Sequence, residues 1–583
     1  MRYLRTLSNS LVAALLGTSY VLVLFLQLNP RLSIAPANLI ALVTTVGAFY
    51  LVHLGAAFYL VLVMRHLLAV TPFSPAWVSV SVLTWLGSAT AAGGAVLMWH
   101  NLRTFDVVLA PETRSVMSGG ALVLAACAIA FAIVAMLRRA AESEHRRVWA
   151  AAAAAIAVAS VGVPLALRGP GRPTPLESAP LETTIDDSAV ETHSGRVRIV
   201  AMDAGSLEFV TDAAARGRLP NFGRILDRGA VMHLATIHPT SAEAVWSAVA
   251  TGKLPPKNGV RSAGVFHLAG GQDTIRLLPD YCFANRLVRF GFLVDEPYDS
   301  AAIRTRPFWS IFSLQGISVG VVNWPLTYPA PPVRGYIVSD VYSRLAPTVS
   351  GYADEAMLYP PELRQEALPI ARSVSGDPES RVPLMTDAVL DERYLQAGRT
   401  DLVYDRIASV AADNHPTKVT AVRFQSLDTI GHYFLRYAQP AAFGEAAAAR
   451  DELGPVLESH YAVVDAAIGR AIADLGPSDL LLVVSGYGME PLSFGKRMLE
   501  RAFGDPELNG THESAPDGFL MAYGGPVAQG RFDRASVVDI LPTLLYFLGL
   551  PIGRDMDGHT RTDVFQRQFT DERPIAFIPT YDQ

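Results

Sequence analysis

Apolar positions fall along this chain in two regimes. Before about residue 168 they form long runs with few charges, and five of these runs stand out: approximately 10–28, 37–64, 76–98, 116–137 and 148–167. A helix needs about 20 apolar residues to cross a hydrocarbon core. One such run is explained by a buried core helix; five in succession predict a transmembrane region over 1–167. The first run lacks a small-residue cleavage site and is followed by four more, so it reads as a span and not as a cleaved signal. The second is long enough to tilt strongly or to extend into the interface.

Residues 168–195 are rich in Pro, Ser, Thr and acid and read as a linker. From 196 to 583 short apolar runs alternate with helical stretches. Strands are expected at 197–203, 318–324, 418–424 and 480–486, and helical pattern dominates 443–474 and 536–548. This alternation predicts an α/β sandwich with a mostly parallel sheet. Ligands in such folds gather at the carboxyl ends of the strands. Asp203, Asp428 and the turn Ser485-Gly486-Tyr487 all fall there.

Charge adds an orientation. With the N-terminus inside, the cytoplasmic side carries Arg2, Arg5, Arg65 and the tight clusters Arg138/Arg139 and Arg146/Arg147. The other side holds Arg31, Arg103 and Arg114, with Arg168 and Arg172 just past the last run. The positive-inside rule and an odd number of spans then place the C-terminal domain outside the cytoplasm. The net charge of −6 offers no basic face for nucleic acid. Two cysteines, Cys127 and Cys282, make neither a disulfide framework nor a cysteine zinc site. The compact five-span layout suits a bacterial inner membrane, with the domain in the periplasm. No protein partner can be read from the chain.

Six blocks carry a resemblance. The opening VAMDAGSLEFVTDAAARGRLPNFGRILDRGA, the helix HPTSAEAVWSAVATGKLPPKNGV, and a middle block RPFWSIFSLQGISVGVVNWPLTYPAPPVRGYIVSD come in order. They are followed by SLDTIGHYFLRY, GTHESAPDGFLMAYG and VVDILPTLLYFLGLPIGRDMDG. Together, over about 197–565, they resemble the type I phosphodiesterase/nucleotide pyrophosphatase family of the alkaline phosphatase superfamily. The resemblance implies two divalent cations, usually zinc, that polarise a phosphoryl oxygen and activate a Thr or Ser nucleophile. It assigns one cation to Asp428, His432 and His512, donors that suit zinc. The second would use Asp203, the nucleophile, and an Asp-His pair. Here that pair is replaced by Gly486 and Tyr487, and the nucleophile position is Ala242.

The expectation is therefore a membrane-anchored, metal-dependent hydrolase with an incomplete second site, acting on a phosphate ester that is lipid-linked or nucleotide-derived. Thr240 and Ser241 are candidate displaced nucleophiles, although each reads more readily as a cap of the following helix. A water acidified by the cation is the alternative attacker. Glu243 and Glu490 are candidate replacement carboxylates, and Asn258 and Arg261 candidate contacts for substrate phosphate. Trp246, Trp309 and Trp324 read as core. Two rivals stand beside this reading: a non-catalytic binding module on the same fold, and an envelope phospho-headgroup transferase, which only the helix-plus-domain layout supports.

Overall fold

The computed structural model describes residues 1–68, 75–140, 146–171, 195–269, 273–345, 355–376, 392–443 and 453–582. Apart from its two ends, the 168–195 linker lies outside these residues. The chain divides into two compact units: Met1–Glu177 with Gly264–Pro297, and Ser178–Ala263 with Tyr298–Gln583. This partition differs from the linear reading. Residues 264–297, which the alternating pattern assigned to the C-terminal domain, pack with the N-terminal helices.

Among the described residues of the first unit, five helices are long and apolar enough to cross a membrane. They are α1 (Arg2–Leu28), α2 (Pro36–Leu68), α3 (Val80–Thr104), α4 (Pro111–Ala140) and α5 (Arg146–Arg168). Helix α2 contains a π-helical stretch at Val43–Gly47. Small residues let the helices approach closely: a Cβ on Gly17 would lie 3.1 Å from Leu54, and one on Gly94 would lie 3.1 Å from Tyr20. Polar side chains also join the helices. Tyr20 and Ser160 share a hydrogen bond of 2.8 Å, and Gln27 donates to the Pro164 carbonyl at 3.1 Å. Arg168, ending α5, donates from Nε to Leu26 O (2.6 Å) and from Nη2 to Asn29 O (3.1 Å). A guanidinium there satisfies carbonyls that the end of α1 leaves open.

The second unit is built on a sheet of β1 (Val197–Met202), β2 (Ala230–Ala235), β3 (Val319–Val322), β4 (Gly335–Val338), β5 (Leu358–Tyr359), β6 (Val419–Phe424), β7 (Leu480–Ser485), β8 (Gly518–Gly524) and β9 (Gly530–Arg531). The order is β9-β2-β8-β7-β1-β6-β3-β4-β5, and a short strand at Ala535–Ser536 also pairs with β2. Strands β7, β1, β6, β3 and β4 are mutually parallel, whereas β8 runs antiparallel to both β7 and β2. This is the α/β, mostly parallel architecture expected. Strand β1 pairs Met202 with both Ser485 and Phe424, so the ends of β7, β1 and β6 are level. Their burial, nearly complete on both faces, is what a central parallel strand demands. Trp246, Trp309 and Trp324 are buried and stack edge-on behind this edge.

Candidate functional site

The residues that follow β1, β6 and β7, together with the turn preceding β8, converge at one sheet edge. Helix α6 (Ala242–Thr251) begins there, and α7 (Glu392–Asn414) and α8 (Ser426–Ala438) flank it.

Helix α8 presents Asp428 and His432 at i and i+4, one above the other on one face. Its start is pinned by a buried carboxylate that the sequence did not single out. Asp401 of α7 accepts from the backbone N–H groups of Gln425 (2.9 Å) and Ser426 (3.0 Å). Burial pushes Asp401 up to about 6 against these bonds. Ser426 Oγ lies 2.9 Å from His460 Nδ1, and burial lowers that imidazole to about 4. Ser426 and His460 are both buried, so with Asp401 they form a structural brace two residues from Asp428.

The third member arrives from the far side of the sequence. A short ladder, Glu490–Pro491 against Gly510–Thr511, places His512 opposite α8. Only glycine fits at 510, since a Cβ would meet the Gly431 carbonyl at 2.3 Å. Asp428, His432 and His512 each offer one ligand atom, and these atoms lie within 4.8 Å of one another, a group able to hold a metal ion. His512 Nε2 is 3.4 Å from Asp428 Oδ1 and His432 Nε2 is 3.8 Å from Asp428 Oδ2. The opposite nitrogens settle the tautomers. His432 Nδ1 faces Gly510 O at 2.9 Å, and His512 Nδ1 faces Thr240 O at 3.2 Å. A carbonyl only accepts, so each Nδ1 carries a proton, and a neutral imidazole then has its Nε2 lone pair on the side of the carboxylate. Imidazole ligands of metals are oriented in this way. Burial raises the Asp428 carboxyl above its ordinary value, and the two imidazoles offset part of that.

Asp203 is differently engaged. Its carboxylate, 1% exposed, faces Arg423 of β6, itself 6% exposed. Arg423 donates from Nε to Oδ1 (3.0 Å) and from Nη2 to Oδ2 (2.5 Å), and Trp246 Nε1 donates to Oδ1 (2.6 Å). Burial alone would lower the guanidinium's pKa, but the charge and hydrogen bonds of Asp203 outweigh it and hold Arg423 above its ordinary value. Arg423 Nη1 also faces Asn323 O and Gln425 Oε1, both at 3.3 Å. The backbone tightens around this pair: Ala204 and Asn323 have φ of 54° and 59°, a region that costs non-glycine residues energy.

The lost positions are filled. A Cβ on Gly486 would stand 2.6 Å from Val245 Cγ1, so side chains of α6 occupy that space. Tyr487 is fully buried, and its hydroxyl reaches Asp428 Oδ1 at 3.5 Å. Burial, reinforced by the charges of Asp203 and Asp428, pushes the phenol well above 10, so it stays neutral and serves as a donor.

Of the other residues singled out, Thr240 and Ser241 lie at the site with occupied hydroxyls. Thr240 Oγ1 donates to Ile237 O (2.9 Å), and Ser241 Oγ caps α6 by accepting from Ala244 N (3.3 Å). Glu243, in the first turn of α6, is raised from 4.5 to about 7 by burial, and it feels the charges of Arg423, Asp203 and Asp340. Glu490 sits across the ladder from Thr511, and partial burial raises it. Asn258 is fully buried, with its amide spent inside its own turn, donating to Lys253 O (2.8 Å) and accepting from Val260 N (2.9 Å). It therefore does not face a ligand. Arg261 is half-buried in the next loop. Arg423 was legible in one respect only: an arginine inside the apolar run 419–424, beside a strand that ends in an aspartate.

The architecture and the convergent carboxylate and imidazoles define an α/β domain with three side chains able to hold a metal ion at the carboxyl edge of its sheet. Residues 199–536, more than half of the chain, match the family described as type I phosphodiesterase/nucleotide pyrophosphatase, and the chain belongs to that family. Among solved structures it is similar to murine ectonucleotide pyrophosphatase/phosphodiesterase 5. An inactive form in complex with AMP aligns at 12% identity and TM-score 0.38, covering 64% of this chain and 100% of that one. A second structure of that mouse protein aligns at 12% identity and TM-score 0.37 with the same coverage. No curated protein matches.

Proposed function

We propose that residues 196–263 and 298–583 form a phosphodiesterase-like phosphoric ester hydrolase that works with a single divalent cation, anchored by the helices and facing away from the cytoplasm. Asp428, His432 and His512 would hold the cation, and zinc suits this donor set. The observation that carries the reading is the pair of Nδ1–H donors fixed on Gly510 O and Thr240 O, which turns both Nε2 lone pairs toward Asp428. A bound cation supplies positive charge to a phosphoryl oxygen and makes water more acidic.

The protein's own groups do the rest. Water is the attacker, since the hydroxyls of Thr240 and Ser241 are engaged and Ala242 has none. Glu243, in the first turn of α6 and raised to about 7, is the proposed acceptor of its proton. Asp203 is not a ligand in this reading, because Arg423 and Trp246 already use its oxygens. Arg423 supplies there, permanently, the positive charge that a second cation would bring. The substrate is a phosphate ester, lipid-linked or nucleotide-derived.

The test is metal content and turnover of the purified full-length protein. We expect a single tightly held ion per chain and hydrolysis of bis-p-nitrophenyl phosphate with zinc or manganese, abolished in His432→Ala. Two tight ions per chain would refute the one-cation reading. A second reading, a non-catalytic binding module, is favoured by the engaged hydroxyls and the methyl of Ala242. It predicts the same metal content with no turnover under any metal.

A further inference from the structure

Residues 264–297 form a three-stranded antiparallel sheet, Gly264–Leu268 between Thr274–Ile275 and Leu293–Pro297, with a short helix at Asn285–Arg289. This excursion is fixed to the ends of the apolar helices by polar contacts. Past the end of α1, Asn29 Oδ1 accepts from the N–H groups of Arg276 (2.8 Å) and Leu277 (3.0 Å), and its Nδ2 donates to Leu277 O (2.9 Å). On α3, Asn101 Oδ1 accepts from Asp280 N (2.7 Å), and His100 Nε2 meets Asp280 Oδ2 (3.0 Å). On α2, the Tyr50 hydroxyl donates to Cys282 O at 2.7 Å, and the Phe49 ring lies 6.1 Å from those of Phe290 and Phe292.

These anchor points mark a common level. Phe25 on the last turn of α1 packs against Tyr50, with ring centroids 6.3 Å apart, and Asn29 and Asn101 bind neighbouring stretches of the excursion. Counted from that level, Tyr50 to Leu68 of α2 and Val80 to Asn101 of α3 are each about 20 residues, one hydrocarbon thickness. The excursion therefore sits where the helices leave the apolar layer. The Pro36–Gly47 portion of α2 lies on the excursion's side of that level.

At this level the excursion exposes large apolar side chains: Tyr281 is 59%, Phe283 57% and Phe290 62% exposed. Tyr281 and Phe283 flank the anchored Cys282 at φ of 57° and 54°, so the chain holds two non-glycine residues in the left-handed region while presenting these rings. Residues 281–292 carry Arg286 and Arg289 and no acid. Trp99, on the same end of α3, is 45% exposed. Aromatic rings with nearby arginines are the composition of a bilayer interface, where rings sit among headgroups and guanidiniums meet lipid phosphates.

We propose that the excursion 264–297 is an interfacial lipid-binding element, with Tyr281, Phe283 and Phe290 inserted at the headgroup level and Arg286 and Arg289 on anionic lipid phosphates. It rests on the helices crossing the membrane and not on the hydrolase reading.

The experiment is nitroxide accessibility in the full-length protein, in nanodiscs of phosphatidylcholine and phosphatidylglycerol, with Cys127→Ala and Cys282→Ala as background. Labels on Phe283→Cys, on Ile129→Cys (an exposed position within α4) and on Asp295→Cys (exposed on the excursion) are compared for collision with oxygen and with a water-soluble nickel complex. The oxygen-to-nickel ratio at 283 is expected several-fold above that at 295 and to approach that at 129. It should fall in phosphatidylcholine alone, and Arg286→Gln/Arg289→Gln should remove that dependence on lipid charge. A ratio at 283 equal to that at 295 overturns the proposal. So does a label shielded from both reagents, which would mean that another protein surface covers the site. The ratio at 129 tests the membrane reading separately.

Discussion

Two carboxylate clusters stand side by side at the edge of one sheet. Around Asp428 the neighbours are imidazoles whose Nδ1–H groups point away to carbonyls, so that their Nε2 atoms turn inward. Around Asp203 the neighbours are donors that already point inward, a guanidinium and an indole N–H. The first cluster offers donor atoms to a cation; the second contains its own positive charge. Buried carboxylates need compensation, and a side chain provides it as well as an ion does. What the side chain does not provide is an open coordination position. In the proposed reading, metal chemistry belongs to the first cluster and a fixed charge to the second.

The sharpest way to break this contrast is to remove a lone pair from the first cluster. His432→Ala or His512→Ala should weaken zinc by more than ~100-fold, beyond the loss typical for a residue that only orients a ligand. Titration of the purified protein measures this. Unchanged affinity in both variants would mean that the three side chains do not share an ion.

The second cluster is tested through stability. Arg423→Met strands the buried Asp203 charge and should cost about 3–5 kcal/mol in denaturant unfolding, the usual penalty for breaking a buried pair. Adding Asp203→Asn should recover much of it. If Arg423→Met instead left stability unchanged and brought a second ion into the protein, the guanidinium would be a removable guest and not the built-in charge.

Restoring the missing pair by Gly486→Asp/Tyr487→His should fail, for a packing reason. The new side chain at 486 meets Val245, and overpacking of this kind costs about 1–3 kcal/mol. We expect lower stability and no gain in metal content. A second bound ion in that variant would show that only ligand identity, and not filled space, keeps the site single.

How much of this was legible before folding follows from the range of the interactions. The five apolar runs and the alternation of strand and helix are local patterns, and they gave the architecture. Asp428 and His432, four apart on one helix, are nearly local, and the blocks around them supplied His512. The substitutions at 242, 486 and 487 were visible as departures from the family's pattern. Arg423 was not, because its role depends on β6 lying beside β1, a pairing between residues more than two hundred positions apart. The brace of Asp401, Ser426 and His460 is hidden for the same reason. So is the docking of 264–297 on the helices, made by asparagines and a tyrosine whose spacing carries no periodic signal.

Glu243, which feels the charges of the second cluster, can be read by pH. Its carboxyl is raised from 4.5 to about 7, so the folded protein holds a proton there that the unfolded chain has released. Stability must therefore fall as pH rises from about 4.5 through 7 on this account. Glu243→Gln should flatten that slope and, in the hydrolase reading, remove the limb along which turnover rises through pH 7. A slope identical in wild type and variant would place the titration elsewhere.

The smallest expected effect decides the nucleophile. Ser241 Oγ caps α6 through Ala244 N, and losing a cap costs about 1 kcal/mol. If capping is its task, Ser241→Ala should lower the unfolding midpoint slightly and leave zinc affinity and turnover near wild type, while Ser241→Asp, also a good cap, restores the midpoint. The two outcomes separate because capping needs only an acceptor oxygen, which Asp also supplies, whereas attack on phosphorus needs the hydroxyl itself. If Ser241→Asp keeps the stability of wild type and loses turnover along with Ser241→Ala, the hydroxyl takes part in the reaction, and the water-attack mechanism would then give way to a covalent one.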